Sequence, residues 1–313
     1  MFLSNPKIRA ATLSITAAVL LATIKMLVAF TSGSMAVLAS AVDSLLDIVM
    51  SGVNLVAIRH AEQPADECHP FGHGKFETLA TIFQAFIILV TGAWIVYEAS
   101  TRLYTGTQNL NVDQGIGILA FGALAAWGIS SYLKRAAAKT DSSALAADAL
   151  HFRMDIFSNL GLLIGMLAIR WFDLPWLDST LSILVAAYIL SEALKLMRHA
   201  LRDLLDHELP DEIKDQVRAV IAQQSLPLSG YHNLRTRRAG SRKIMDFHLE
   251  VCRHMSVKDA HDIADQLEKG IESAILGADV TIHIEPCAEG HCPGVNVCSQ
   301  EKSRIVHNVH HVK

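Results

Sequence analysis

Six long, mostly apolar stretches occupy the first two thirds of the chain, near 10–30, 35–58, 76–103, 114–133, 145–172 and 177–197. A helix needs about 20 such residues to cross a bilayer, so each stretch predicts a membrane-spanning helix. "TSGS" reads as a tight turn after the first, "YTGTQNLNVDQ" as the loop after the third, and "DLPW" as the turn after the fifth. From about His207 the pattern changes. "DEIKDQVRAVIAQQ" places apolar residues at helical spacing, and "NLRTRRAGSRKIMDFHLEV" reads as two strands joined at Ala239–Gly240–Ser241. "SVKDAHDIADQLEKGIESAI" predicts an amphipathic helix with Ser256 and Asp259 in its first turn, and "DVTIHIEP" alternates as a strand ending at Pro286. An α-β-β-α-β order predicts a small α+β domain with its helices on one face of a sheet. The expected division is a six-helix transmembrane domain over 1–206, an α+β domain over 207–287 and a polar, irregular tail over 288–313.

Composition supports the membrane reading. Of 313 residues, 51% are hydrophobic and 19% charged, and mean hydropathy is +0.31. Soluble domains average about 25% charged residues. A net charge of −4 without a long basic run excludes nucleic acid as an expected partner, and 6% aromatic residues are too few for a base-stacking platform. The first apolar run extends too far for a signal peptide and reads as a retained helix. Cationic residues choose the orientation. Lys7, Arg9, Arg59, Lys75, Lys134, Arg135, Lys139, Arg198 and Arg202 cluster at one set of helix ends, against Arg102 and Arg170 at the other. Both termini are therefore expected in the cytoplasm. The five cysteines, three of them crowded near the C-terminus, do not read as a disulfide framework.

Two apolar stretches carry ionisable pairs at matching spacing: Asp43 and Asp47 in "DSLLD", His151 and Asp155 in "HFRMD". Residues four apart share a helix face, and an ionised carboxylate at membrane depth is costly unless compensated. If the two faces meet, three carboxylates and an imidazole converge, a donor set that suits zinc. Helix packing or a proton relay without metal would also place polar groups there. Burial and mutual repulsion disfavour three ionised carboxylates, so the empty quartet is expected to hold protons. A divalent ion favours the deprotonated ligands and expels those protons. Competition for one set of atoms is the chemistry of exchange transport. An intramembrane metallohydrolase would need an open coordination position and a nearby base; the sequence supplies neither clearly, so the expectation is a transporter and not an enzyme.

Further candidates lie outside the helices. "ADECHPFGHGK" offers Asp66, His69 and His73, with Gly72 and Gly74 allowing the backbone to turn around an ion. His232, His248, His261, His283 and Glu285 are spread over the α+β domain, and alternation puts His283 and Glu285 on one strand face. Spacing alone leaves that group open between ligands and surface histidines.

The chain resembles the cation diffusion facilitator family, in its bacterial zinc-type branch. The resemblance extends to about residue 286 and rests on "DSLLD", "QPADECHPFGHGKFE", "ADALHFRMD", "LLDHELPDE", "HNLRTR", "FHLE" and "IHIEPC". It implies six membrane helices followed by a ferredoxin-like, metallochaperone-like cytoplasmic domain. It implies a homodimer in the lipid bilayer, at a bacterial inner membrane, that exports divalent metal in exchange for protons by alternating access. Asp43, Asp47, His151 and Asp155 would form the transport site, and Asp66, His69 and His73 a site at the membrane–cytoplasm junction. His232, His248, His261, His283 and the acid at 285 would form a binuclear site at the dimer interface, with Glu285 standing where relatives usually have Asp. Lys75 matches a lysine that pairs with an acid, for which Asp206 is the candidate. The histidine in the quartet points to Zn(II) as the transported and regulatory ion, with Cd(II) and Fe(II) as further substrates. The alternative is a membrane-bound metal sensor without net transport.

Overall fold

The computed structural model describes residues 5–32, 35–105, 116–172, 175–223 and 228–288. Residues 33–34 of the expected first turn, the loop over 106–115, residues 173–174 and the tail beyond 288 lie outside the described residues. The chain forms two compact units, Met1–Leu204 and Leu205–Lys313.

The first unit consists of six long helices: α1 (Pro6–Ser32), α2 (Met35–Ala61), α3 (Lys75–Thr105), α4 (Ile116–Thr140), α5 (Ser143–Phe172) and α6 (Pro175–Leu204). Among the described residues, Pro6–Val28, Ser44–Ala61 and Lys75–Thr101 are each apolar enough by themselves to cross a membrane. The bundle is inverted relative to a water-soluble one. Large apolar side chains such as Leu20, Leu46, Trp94 and Leu124 are exposed, while Ser14, Asn54, Glu77 and Asp148 are buried. Hydrocarbon solvates the former, and the latter find protein partners only inside. Small residues let the helices approach, as lipid-phase packing requires. Ala10, Ala11 and Ala18 of α1 are buried, and a side chain at Gly92 of α3 would come within 2.9 Å of Leu190 of α6. Hydroxyls on α1 are satisfied locally: Thr12 and Thr23 donate to the carbonyls of Ile8 and Val19. Where α1, α3 and α5 begin and α2 ends, Lys7 Nζ sits 2.5 Å from Glu62 Oε1 and 3.5 Å from Glu77 Oε2.

The second unit has the order α7 (Asp211–Gln223), β1 (Leu228–Ala239), β2 (Arg242–Val251), α8 (Val257–Ala274) and β3 (Ala278–Pro286). Strand order is β1-β2-β3, with β1 antiparallel and β3 parallel to β2. Along β2, Met245, Phe247, Leu249 and Val251 face a core shared with Val217 and Ile221 of α7 and Leu267 and Ile271 of α8. The alternate positions, His248 among them, therefore lie on the open face. Ser256 caps α8 by accepting from the Asp259 amide. Gly277 holds φ +74 beside the Ser241 carbonyl, which a Cβ would approach to 2.5 Å, so the β3 entry admits only glycine. Cys68 and Cys287 are free thiols, whereas Cys252 is disulfide-bonded. Asp206, the candidate partner of Lys75, lies 3.4 Å from Arg237 within this unit.

Candidate metal centre

The helix-borne group assembles between α2 and α5. His151 Nε2 lies 2.9 Å from Asp47 Oδ1, and Asp47, His151 and Asp155 each offer a ligand atom within 4.8 Å of the others. His151 is buried and the two aspartates are half-buried, so the carboxylates are withdrawn from bulk water without being sealed. The i, i+4 spacing of His151 and Asp155 sets both on the α5 face that meets Asp47. Asp43 lies one turn before Asp47 on α2, and its side chain is outside the described residues. His151 Nδ1 is buried and has no partner among the described residues. Two carboxylates and an imidazole at this spacing fit a divalent ion of the zinc type.

The loop between α2 and α3 forms the second group. Asp66 Oδ1 accepts from the backbone N–H of Cys68 at 3.0 Å and of His69 at 2.6 Å, which folds the loop around the carboxylate. Gly72, at φ +78, donates its N–H to the His69 carbonyl at 2.9 Å and closes the turn. His69 Nδ1 is then 3.3 Å from Asp66 Oδ1, and His73 Nε2 is 3.3 Å from Asp66 Oδ2. His73 Nδ1 lies 3.2 Å from the Pro64 carbonyl, which orients the ring and leaves Nε2 toward the acid. The backbone N–H of His69 holds the Asp66 carboxyl below its ordinary range, against the opposing effect of desolvation.

The third group lies on the open face of the sheet. His232 pairs in register with His248, and His248 with His283, while Glu250 pairs with Glu285. Glu285 Oε1 is 2.7 Å from His248 Nδ1, Glu285 Oε2 is 3.3 Å from His232 Nε2, and His283 Nε2 is 3.7 Å from Glu285 Oε1. His232, His248 and Glu285 have ligand atoms within 4.8 Å of one another. A register shift after His232, with Asn233 at φ 53, turns the strand beside the site, and Asn233 Nδ2 lies 3.3 Å from His248 Nε2. Neither the bulge nor Asn233 carries a sequence signal beyond asparagine's tolerance of positive φ. His261 does not join this group within one chain. It is exposed on α8, whose Ala260, Ala264 and Leu267 pack on the opposite face of the sheet.

Comparisons with known proteins bear on both units. The cation efflux transmembrane domain matches residues 11–205, and the cation efflux protein cytoplasmic domain matches residues 209–287. The chain is 35% identical over 283 residues to the cation-efflux pump FieF of Serratia proteamaculans, covering 90% of this chain and 93% of that one. FieF of Yersinia pestis (strain Pestoides F) gives the same identity and coverage. Among solved structures, a putative zinc transporter CzrB is 38% identical over 26% of this chain and 99% of its own, with a TM-score of 0.25. The metal-bound C-terminal domain of CzcD from Thermotoga maritima is 33% identical over 24% of this chain and 87% of its own, with a TM-score of 0.23.

Proposed function

Since this chain belongs to the cation diffusion facilitator family of cation-efflux proteins, we propose that it exports Zn(II) from the cytoplasm in exchange for protons. The observation that carries the reading is the meeting of Asp47, His151 and Asp155 inside an apolar bundle. A divalent ion is a reason to gather carboxylates there, because it compensates charges that lipid cannot. With the ion gone, the same oxygens and imidazole take protons, so each cargo displaces the other. Asp43 supplies the fourth ligand by its place one turn along α2. Helices α2 and α5 expose the site to one side and then the other, as in carriers with a midplane site.

The protein works as a homodimer in a bacterial inner membrane, with both termini cytoplasmic, as the charge bias of the helix ends supports. The Asp66–His69–His73 loop and the His232–His248–His283–Glu285 face are regulatory metal sites. The second of these lies on the open sheet face, where a partner subunit can dock. Cd(II) and Fe(II) share the oxygen and nitrogen preferences that these donors satisfy and are secondary substrates.

Flux into proteoliposomes tests the reading. Zinc uptake accompanied by counter-movement of protons, both lost in Asp155→Ala, is the expected result. Saturable zinc binding without flux would identify a receptor instead.

A further inference from the structure

Lys25 lies deep in α1, within the Pro6–Val28 span that is apolar enough to cross a membrane. Ser14, Ala18 and Ala22 precede it at i, i+4 and i+8, all buried, and Lys25 at i+11 continues that face into the bundle. Its Nζ donates to Ser44 Oγ of α2 at 2.8 Å, and Ser44 is itself buried. On α4, Gly122 leaves the space: a Cβ there would meet Asn159 Nδ2 of α5 at 3.4 Å and Lys25 Cε at 3.9 Å. Four helices thus converge around one lysine side chain. A cation at membrane depth is costly and marks a function by default. Glutamine could serve the Ser44 hydroxyl without that cost. What lysine adds is charge.

Two helices independently place this lysine relative to the proposed metal ligands. Asp47 meets His151, and Asn54 Nδ2 donates to the Ala144 carbonyl at 3.2 Å, so α2 and α5 run antiparallel. On α2, Ser44 precedes Asp47 by three residues, and on α5, Asn159 follows Asp155 by four. Each therefore shares the face of the ligand on its own helix. A step back along α2 and a step forward along α5 lead the same way, away from the bundle end where α1, α3 and α5 begin. Lys25, held by Ser44 and beside Asn159, sits at the level one turn beyond the ligands, about 5.4 Å along the bundle. In the proposed orientation, that is the side to which the exported ion leaves.

We propose that Lys25 sets the metal affinity of the transport site, its tethered positive charge weakening the hold of Asp47, His151 and Asp155 so that the ion leaves on the Lys25 side. The proposal rests on the metal-transport reading above. An ammonium group and a divalent ion repel each other, and surroundings of low dielectric extend the reach of that repulsion. No direct contact between Lys25 and the ion is needed. A site that conducts ions has to bind firmly enough to load and weakly enough to empty. Carboxylates gathered in an apolar bundle favour loading; a cation one turn away favours emptying.

Calorimetric titration of the full-length protein with zinc, with Asp66→Ala and His248→Ala disabling the other two centres, reads the affinity of the transport site. Stopped-flow transfer of bound zinc to a chelating dye reads its release. Lys25→Met keeps an unbranched stem and suits an apolar helix. It should bind zinc about tenfold more tightly and release it about tenfold more slowly. Lys25→Gln should do the same, whereas Lys25→Arg should keep the values of the parent protein. In proteoliposomes, Lys25→Met should lower KM and kcat together. Unchanged or weaker binding in either folded neutral variant overturns the proposal alone. A gain shared by Lys25→Arg reports packing rather than charge and likewise overturns it. If Lys25→Met does not fold, Lys25→Gln decides by itself. Absence of zinc binding from the parent protein and its Lys25 variants alike overturns the transport reading as well.

Discussion

His151 Nε2 lies 2.9 Å from Asp47 Oδ1, and this contact joins α5 to α2 at the centre of the proposed transport site. One partner is a carboxylate and the other an imidazole, so the pair can share a proton or hold a metal between them, but not both.

Removing either member should therefore abolish zinc flux. Asp47→Ala is expected to weaken zinc binding by more than about a hundredfold, beyond the usual loss from an outer-shell change. His151→Asp replaces a neutral nitrogen donor with an anionic oxygen donor on a shorter side chain and makes the donor set entirely oxygen. That should shift preference from zinc toward manganese, which favours oxygen ligands. Competition flux with both ions in the same vesicles reads the shift.

The junction loop should lose order in acid. Asp66 titrates below its ordinary value because the His69 backbone N–H stabilises the carboxylate. A carboxyl depressed on folding contributes order that is fully present above its unfolded value of about 3.9. That order is lost as pH falls through the lower folded value. Hydrogen-exchange protection of the Cys68 and His69 amides should follow this course, and in Asp66→Ala it should be absent at every pH.

Zinc should stabilise the cytoplasmic domain through Glu285. At about 100 times its Kd, a ligand specific for the folded state adds about 2.7 kcal/mol. Glu285→Ala removes the carboxylate that His248, His232 and His283 share and should erase the zinc-dependent shift in unfolding temperature. Glu285→Asp should retain it. Chelation by EDTA reverses the shift in both wild type and Glu285→Asp.

Within the same domain, Phe247 is 1% exposed and meets the Tyr231 ring edge-on at 6.0 Å. Phe247→Ala should cost about 3–5 kcal/mol, read as faster exchange of the β2 amides. Gly277→Ala strains a positive φ against the Ser241 carbonyl. It should cost more than about 1 kcal/mol and loosen the Lys243 N–H bond to the Gly277 carbonyl, now 2.7 Å.

The six helices were legible because each apolar run is long, and the α-β-β-α-β order because the period changes from helical to alternating at each boundary. Asp47, His151 and Asp155 were legible because residues four apart share a face whatever the tertiary fold. The place of Lys25 was not. A single lysine with a serine and an asparagine on two other helices has no spacing of its own, and only the packing of α1, α2 and α5 reveals it. The Lys7–Glu62–Glu77 cluster was hidden for the same reason, since its members lie up to 70 positions apart in sequence. His261 shows the converse limit. It shares a residue type with His232, His248 and His283, but within one chain the core-facing pattern of α8 sets it apart from their strand face, and the dimer-interface site that the resemblance implies for it involves a second chain.

The most direct test of metal–proton competition is zinc affinity as a function of pH, with Asp66→Ala and His248→Ala disabling the other two centres. Affinity should rise with pH by a factor of about ten per unit for each proton displaced, and zinc binding should release protons into the buffer. Zinc affinity that stays level from acid to alkaline solution, with no protons released, would contradict the account.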